Sequence, residues 1–474
     1  MFLPFAPTVP SSNGYTPLRQ LFPLPYTPSS IATLEGCDGA DDRHAGHTVA
    51  STVVQASGHD GRVPELGRPV RAILTTLLSW LPIASLDVAA VTTAATVATL
   101  RVLTSTPNTT TPTRTYARYK KEVALRKQLH NQVQELKGNI RVYMRARPPS
   151  KKEIEQFGPD SNCVTFQSDT EVKVLSEKGR EKVWEFDRTF DMDSTQEEVY
   201  KEVSPLVTSA IDGYAVCIFA YGQTGSGKTF TMNGPEDMRG VNTRALDDLF
   251  HIANDRSLEG WEDVITVSVL EVYNEKIHDL LSDEGGELEV RQSAEGNYVP
   301  GLTSVQVNTL DDVDKLMRVA EKHRSQQATN MNEHSSRSHM MLSITIASHN
   351  KLTGFDSRGR LHLVDLAGSE RLNKTGAEGK ALKEAQNINK SLSALGDVIA
   401  ARANKQGHVP FRNSTLTYLL QDALSQDSKT LMFVCASPVI YNAEETFCSL
   451  NFAARVRTVE LGKATKNTGG SKKK

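Results

Sequence analysis

Gly222-Gln-Thr-Gly-Ser-Gly-Lys-Thr229 decides how the rest of this chain is read. It has the form G-x-x-x-x-G-K-[ST], a loop that wraps a phosphate. Before it, Tyr214-Ala-Val-Cys-Ile-Phe-Ala220 is a short apolar run with the composition of a buried strand, and a helix start follows. That order gives the motif its physical sense. The glycines let the backbone bend so that several N–H groups converge on an anion, and the helix N-terminus adds its dipole. The predicted cradle is Gly222, Gln223, Thr224, Gly225, Ser226, Gly227, Lys228 and Thr229. Lys228 is expected on the β- and γ-phosphates, and the Thr229 hydroxyl on Mg²⁺.

Two later segments extend the pattern. Asn332-Glu-His-Ser-Ser-Arg-Ser-His339 gathers hydroxyls, an amide and an arginine, a mixture that an ordinary surface loop does not need. Leu361-His-Leu-Val-Asp-Leu-Ala-Gly-Ser-Glu370 is an apolar strand ending in Asp365, Gly368 and Glu370. A strand that ends in Asp is how P-loop nucleotidases hold Mg²⁺, and a glycine just beyond brings its N–H near a γ-phosphate. Each segment alone reads as a polar loop. In this order after the P-loop, they read as a phosphate sensor.

These segments resemble the P-loop, switch I and switch II of kinesin motor domains. Further similarity lies in Arg145-Ala-Arg147-Pro148, Glu271-Val-Tyr-Asn-Glu275, Leu382-Lys-Glu-Ala-Gln-Asn-Ile-Asn-Lys-Ser-Leu392 and Val409-Pro-Phe-Arg-Asn413. The resemblance implies an α/β P-loop NTPase: a central, mostly parallel, eight-stranded sheet with three helices on each side. It implies ATP and Mg²⁺, with Arg145, Arg147 and Pro148 beside the adenine. Thr229, Ser336 and Asp365 are then the metal-side residues. Gly368 reports the γ-phosphate, Arg337 pairs with Glu370 when the switches close, and Ser335 and Glu370 relay the proton of the attacking water. Catalysis of this kind is positioning and charge stabilisation.

The same resemblance implies a second surface. Microtubules are the expected partner, met through Arg371, Lys374, Asn389, Lys390 and Arg412. Three positions depart from the family pattern: Thr415 stands where a track-contacting lysine is common, Ser425-Gln426 where Gly-Gly is frequent, and Phe230 where His is common.

Composition sets the outer bounds. The 474 residues allow one large core with extensions, and 54 basic against 56 acidic residues leave no bulk charge for a polyanion. An acidic partner must therefore be met by a local patch. Five cysteines, none in a C-x-x-C pair, point to a reduced compartment rather than a disulfide framework or a zinc site. Residues 1–112 are rich in Pro, Ser, Thr and Ala and read as disordered; the uncharged runs at 72–86 and 88–100 are too interrupted for a membrane span.

A neck helix is expected over 115–137, with a short seam at Leu129, Val133, Leu136 and Ile140. Its readings are a solvated single helix, the end of a dimerising stalk that makes a homodimer or heterodimer, or a basic neck that touches an acidic track. The motor domain is placed at 138–462 and a polar basic tail at 463–474. A neck ahead of the core, joined through Gly138-Asn139, resembles C-terminal-motor kinesins, which implies minus-end movement in the cytoplasmic microtubule cytoskeleton, the spindle included. The competing readings are a non-motile microtubule binder, a depolymerising ATPase and an unrelated P-loop kinase.

Overall fold

The computed structural model of the chain describes residues 112–138, 140–284, 286–293, 296–326, 336–371, 379–425 and 428–459. The expectations for residues 1–111, Ser335, Lys374 and the 463–474 tail fall outside these residues.

Helix α1 (Pro112–Leu136), strand β1 (Ile140–Ala146) and helix α2 (Lys151–Phe157) come first. A small antiparallel sheet of β2 (Val164–Phe166), β3 (Glu171–Leu175) and β4 (Glu181–Glu185) precedes β5 (Arg188–Phe190). Next are α3 (Gln196–Ile211), β6 (Ala215–Tyr221), α4 (Lys228–Met232) and α5 (Val241–Ser257). The strands β7 (Trp261–Tyr273), β8 (Lys276–Asp279), β9 (Glu287–Leu288), β10 (Arg291–Ser293), β11 (Gly296–Tyr298) and β12 (Val305–Val307) lead to α6 (Leu310–Gln326). The chain continues through β13 (His339–Asn350), β14 (Phe355–Asp365), α7 (Lys380–Ala403), α8 (Thr415–Leu419), β15 (Ser428–Ala436) and α9 (Ala443–Arg457).

The main sheet runs β5-β1-β15-β6-β14-β13-β7-β8-β9, with β12 also on β7. Its centre is β6, whose apolar run lies between two parallel neighbours and is covered on both faces. Strand alternation separates two cores. Cys217, Phe219, Met432 and Val434 pack with α7, α8 and α9; Val216, Ile218, Leu431 and Phe433 pack with α3, α5 and α6. The α/β class and the three helices per side hold.

Two details of the sheet differ from expectation. It has ten strands rather than eight, and only the half from β5 to β14 is parallel. β13 and β14 form a long antiparallel hairpin that turns at Lys351–Gly354, where Asn350 Oδ1 accepts from Leu352 N at 3.1 Å and Thr353 N at 2.9 Å. From there outward every pairing is antiparallel. The extra strands are short ones at the edges, β9 and β12.

Helix α1 is seated on the core, and its seat is polar. Lys429 Nζ donates to Asn131 Oδ1 at 2.6 Å, His130 Nε2 meets Pro205 O at 3.0 Å, and Lys127 pairs with Asp212 at 2.7 Å. Arg141 donates to Gln134 O at 2.8 Å. Burial pushes the Lys429 amine down to about 8. The expected seam is corrected at its end: Ile140 is a buried β1 residue, and Leu136 is 88% exposed. Helical spacing turns Lys127, Asn131 and Gln134 toward the core, a polar stripe that a search for apolar spacing passes over. Among the described residues, no helix is long and apolar enough to cross a membrane.

Candidate functional site

β6 delivers the loop 222–227 to the start of α4, as the motif requires. Gly222 has φ 150°, and a Cβ there would lie 2.3 Å from Cys435 O on the neighbouring strand. Only glycine lets the loop leave the sheet this close to β15. Lys228 is 7% exposed, and its Nζ donates to Gly222 O and Gln223 O, each at 2.9 Å. Burial lowers its proton affinity, while Asp365 and Glu370 pull in the other direction. The side-chain oxygens Gln223 Oε1 and Ser226 Oγ are buried with no hydrogen-bond partner in the protein.

Distant segments close around this loop. Thr229 Oγ1 donates to Asp365 Oδ2 at 2.6 Å, while Asp365 Oδ1 is buried and unpartnered. Burial raises the Asp365 carboxyl above its usual range, against the Thr229 hydrogen bond and Lys228. A buried carboxylate with one free oxygen beside a threonine hydroxyl is a donor set for a small hard cation that keeps water and phosphate oxygens as its other ligands. Gly368 N donates to Ser336 O at 2.9 Å, which joins the second polar segment to the third. Glu370 accepts from Thr224 N at 2.8 Å and from Thr224 Oγ1 at 2.6 Å. These residues fit a nucleotide phosphate with Mg²⁺.

One expected arrangement, Arg145 beside the adenine, is replaced by another, and the Arg337–Glu370 pair, expected when the switches close, is not formed here. Arg337 pairs with Glu384 on α7, which also accepts from Tyr273 OH, so Arg337 and Glu370 are held apart on different partners. Arg145 is 6% exposed and donates to Gln196 Oε1 at 2.7 Å and Thr231 Oγ1 at 3.2 Å, with the Phe230 ring 5.2 Å away. It supports α4 from beneath, because its guanidinium is consumed by buried acceptors, and does not offer its plane to a purine. Arg147 does border the loop: Nε donates to Gly225 O at 2.5 Å, and its fork grips Glu153 at 2.6 and 2.7 Å. That grip holds the Glu153 carboxyl down at about 2. Glu153 was legible as the third residue of a capping box begun by Ser150.

Of the surface residues, Lys390 is well exposed on α7, 3.8 Å from Glu275, and Asn389 beside it is half-buried. Arg412 lies over the Tyr418 ring at 5.3 Å, on the turn that packs against α7. Arg371 is apart from them, its Nε donating to Glu445 on α9 at 3.0 Å. Thr415 is turned inward: its N donates to Glu275 Oε2 at 2.9 Å and its hydroxyl to Glu275 O at 2.7 Å.

His339 had no assigned role. It is 3% exposed, and burial pushes its imidazole down to about 3 from 6.5. Unfolded chains therefore bind a proton below the ordinary value that the folded chain refuses, so stability falls as pH drops from 6.5 toward 3. A loss on the order of 1 kcal/mol per pH unit is expected in that window. Thermal melting from about pH 7 to about pH 5 reads it, and His339→Asn should show a shallower slope than the parent. Equal slopes would remove this contribution.

Comparison with known proteins gives one family. The family model described as kinesin motor domain matches residues 145–459. Kinesin-like protein KIN-14R of Oryza sativa subsp. japonica is 53% identical over 359 residues, covering 74% of this chain and 35% of that protein. The motor domain of the Kar3-like kinesin from Ashbya gossypii superposes with TM-score 0.59 at 40% identity, over 68% of this chain and all of that one. A second structure, described as a fast kinesin with implications for ATPase mechanism and interactions with microtubules, gives TM-score 0.65 at 40% identity, over 71% and 95%. The chain spans about a third of the length of the first curated relatives it matches.

Proposed function

The chain belongs to the kinesin motor-domain family, and we propose that its core is an ATPase motor that works along microtubules. One observation carries the reading: three segments far apart in sequence meet on the P-loop, through Asp365 on Thr229, Glu370 on Thr224 and Gly368 on Ser336. α7 begins at Lys380, ten residues beyond Glu370.

In this reading Lys228 and the loop amides neutralise the β- and γ-oxygens of ATP. Thr229, Ser336 and Asp365 hold Mg²⁺, which supplies charge neutralisation to the phosphates. Gly368 offers its N–H to the γ-phosphate once that N–H has left its present acceptor, Ser336 O. Ser335 and Glu370 take the proton of the attacking water. Arg337 reaches Glu370 once each has left its present partner, Glu384 and Thr224. The stem of Arg147, Pro148 and the Phe230 ring border the purine.

Tubulin's acidic surface is met by Lys390, Asn389 and Arg412 around α7, with Arg371 and Lys374 following switch II. Attraction of this kind is weakened by salt. The neck ahead of the core and the KIN-14 and Kar3-like relatives support movement toward the minus end, which a gliding assay with polarity-marked microtubules decides. α1 serves as the neck, a place for pairing with a second chain, and the site of work is the cytoplasmic microtubule cytoskeleton.

The test is co-sedimentation with microtubules. Binding is expected to be tighter with a non-hydrolysable ATP analogue than with ADP. Equal affinity in the two states would end the proposal that nucleotide and track are coupled.

A further inference from the structure

At the head of β13, the His339 ring joins three elements. Nδ1 accepts from the backbone N–H of Ala367 at 3.0 Å, and Nε2 lies 2.8 Å from Ser391 Oγ on α7. An amide N–H can only donate, so Nδ1 carries the lone pair and Nε2 carries the proton. Ser391 accepts that proton and passes its own hydroxyl to Ile388 O at 2.7 Å. The result is a directed chain from the amide of Ala367, through the imidazole and the serine hydroxyl, to a carbonyl inside α7. Its two linking side chains are buried, with His339 3% and Ser391 2% exposed.

The position of this chain matters more than its strength. The Ala367–Gly368 stretch is held by His339 at the Ala367 amide and by Ser336 O at the Gly368 amide. Both holders come from the four residues 336–339. The same four residues reach α7 twice, through Arg337 to Glu384 and through His339 to Ser391. Glu384 and Ser391 are about two helical turns apart. Two ties at that spacing fix both the position and the rotation of a helix against its neighbour, whereas one tie leaves it free to pivot.

We infer that His339, acting through Ser391, is a positioning residue that transmits the state of the nucleotide site to the microtubule-facing helix α7. The inference rests on the motor reading proposed above. A hydrocarbon side chain of similar volume would fill the space but carry neither bond. The ring stays neutral across the working pH range because burial holds its proton affinity low, so the link does not open on mild acidification.

The experiment uses the full chain and the variants Ser391→Ala, His339→Asn and the double variant. Basal ATPase, the maximal rate with microtubules and the microtubule concentration at half-maximal rate are measured. Ser391→Ala is expected to leave the basal rate and the half-maximal concentration within about twofold, and to lower the maximal stimulated rate about three- to tenfold, the value of one buried hydrogen bond. His339→Asn keeps an acceptor near Ala367 but is too short to reach Ser391, so it should show a comparable loss. The double variant should lose no more than the larger single loss, because both act on one link. Full stimulation in Ser391→Ala, or losses that simply multiply in the double variant, would overturn the inference. If His339→Asn fails to fold, Ser391→Ala decides alone. A parent chain without microtubule stimulation would remove the motor reading and this inference together; a stimulated parent with an equally stimulated Ser391→Ala removes only the inference.

Discussion

Lys228→Ala is expected to abolish ATP turnover, basal and microtubule-stimulated alike, with a loss of at least about 10²–10³. The ammonium is the one cation that the P-loop encloses among the described residues, and Gly222 O and Gln223 O each hold it at 2.9 Å. Its burial costs solvation, which the loop carbonyls and the nearby Asp365 and Glu370 offset. Alanine removes the charge that is to meet the terminal phosphates and leaves two loop carbonyls without their donor. Phosphate-release measurements decide the matter, with melting temperature as the control for folding. Turnover within tenfold of the parent would mean that the loop is not the catalytic cradle.

Glu370→Ala should separate binding from chemistry. The carboxylate sits on Thr224, accepting from its N at 2.8 Å and its Oγ1 at 2.6 Å, and does not touch the Lys228 or Thr229 side chains. Its removal leaves the phosphate cradle standing, so binding of a fluorescent ATP analogue should change by less than about tenfold. Hydrolysis should fall by about 10²–10³, the usual cost of losing one preorganised group. Single-turnover kinetics distinguishes the two steps. A variant that binds and hydrolyses at the parent's rate would return Glu370 to a purely structural place beside the loop.

Sequence alone picked out the P-loop end of the candidate site because strand, glycine loop and helix start are local and leave their mark in consecutive residues. Asp365 was found the same way, as a polar residue ending an apolar strand. Arg145 was not. An arginine beside a nucleotide loop reads as a purine neighbour, and only the packing of α3 and α4 supplies the Gln196 and Thr231 acceptors that bury it. Arg337 was found, but its present partner is set by where α7 lies. His339 stood inside a quoted motif without a role, because its partners Ala367 and Ser391 are brought near only by the fold. The antiparallel half of the sheet was missed for a related reason. An apolar run reports burial and says nothing about which way the neighbouring strand points.

The contacts beneath α1 bear on how that helix would come loose. A rod glued down by oil-like surface resists lifting in proportion to its footprint, and once lifted it sticks to whatever it meets. This rod is fastened by discrete studs: an amide on a lysine, an imidazole on a carbonyl, an ammonium on a carboxylate. Water can replace each stud's partner, so lifting should cost only on the order of 1 kcal/mol per stud, and the ammonium–carboxylate stud should weaken with salt.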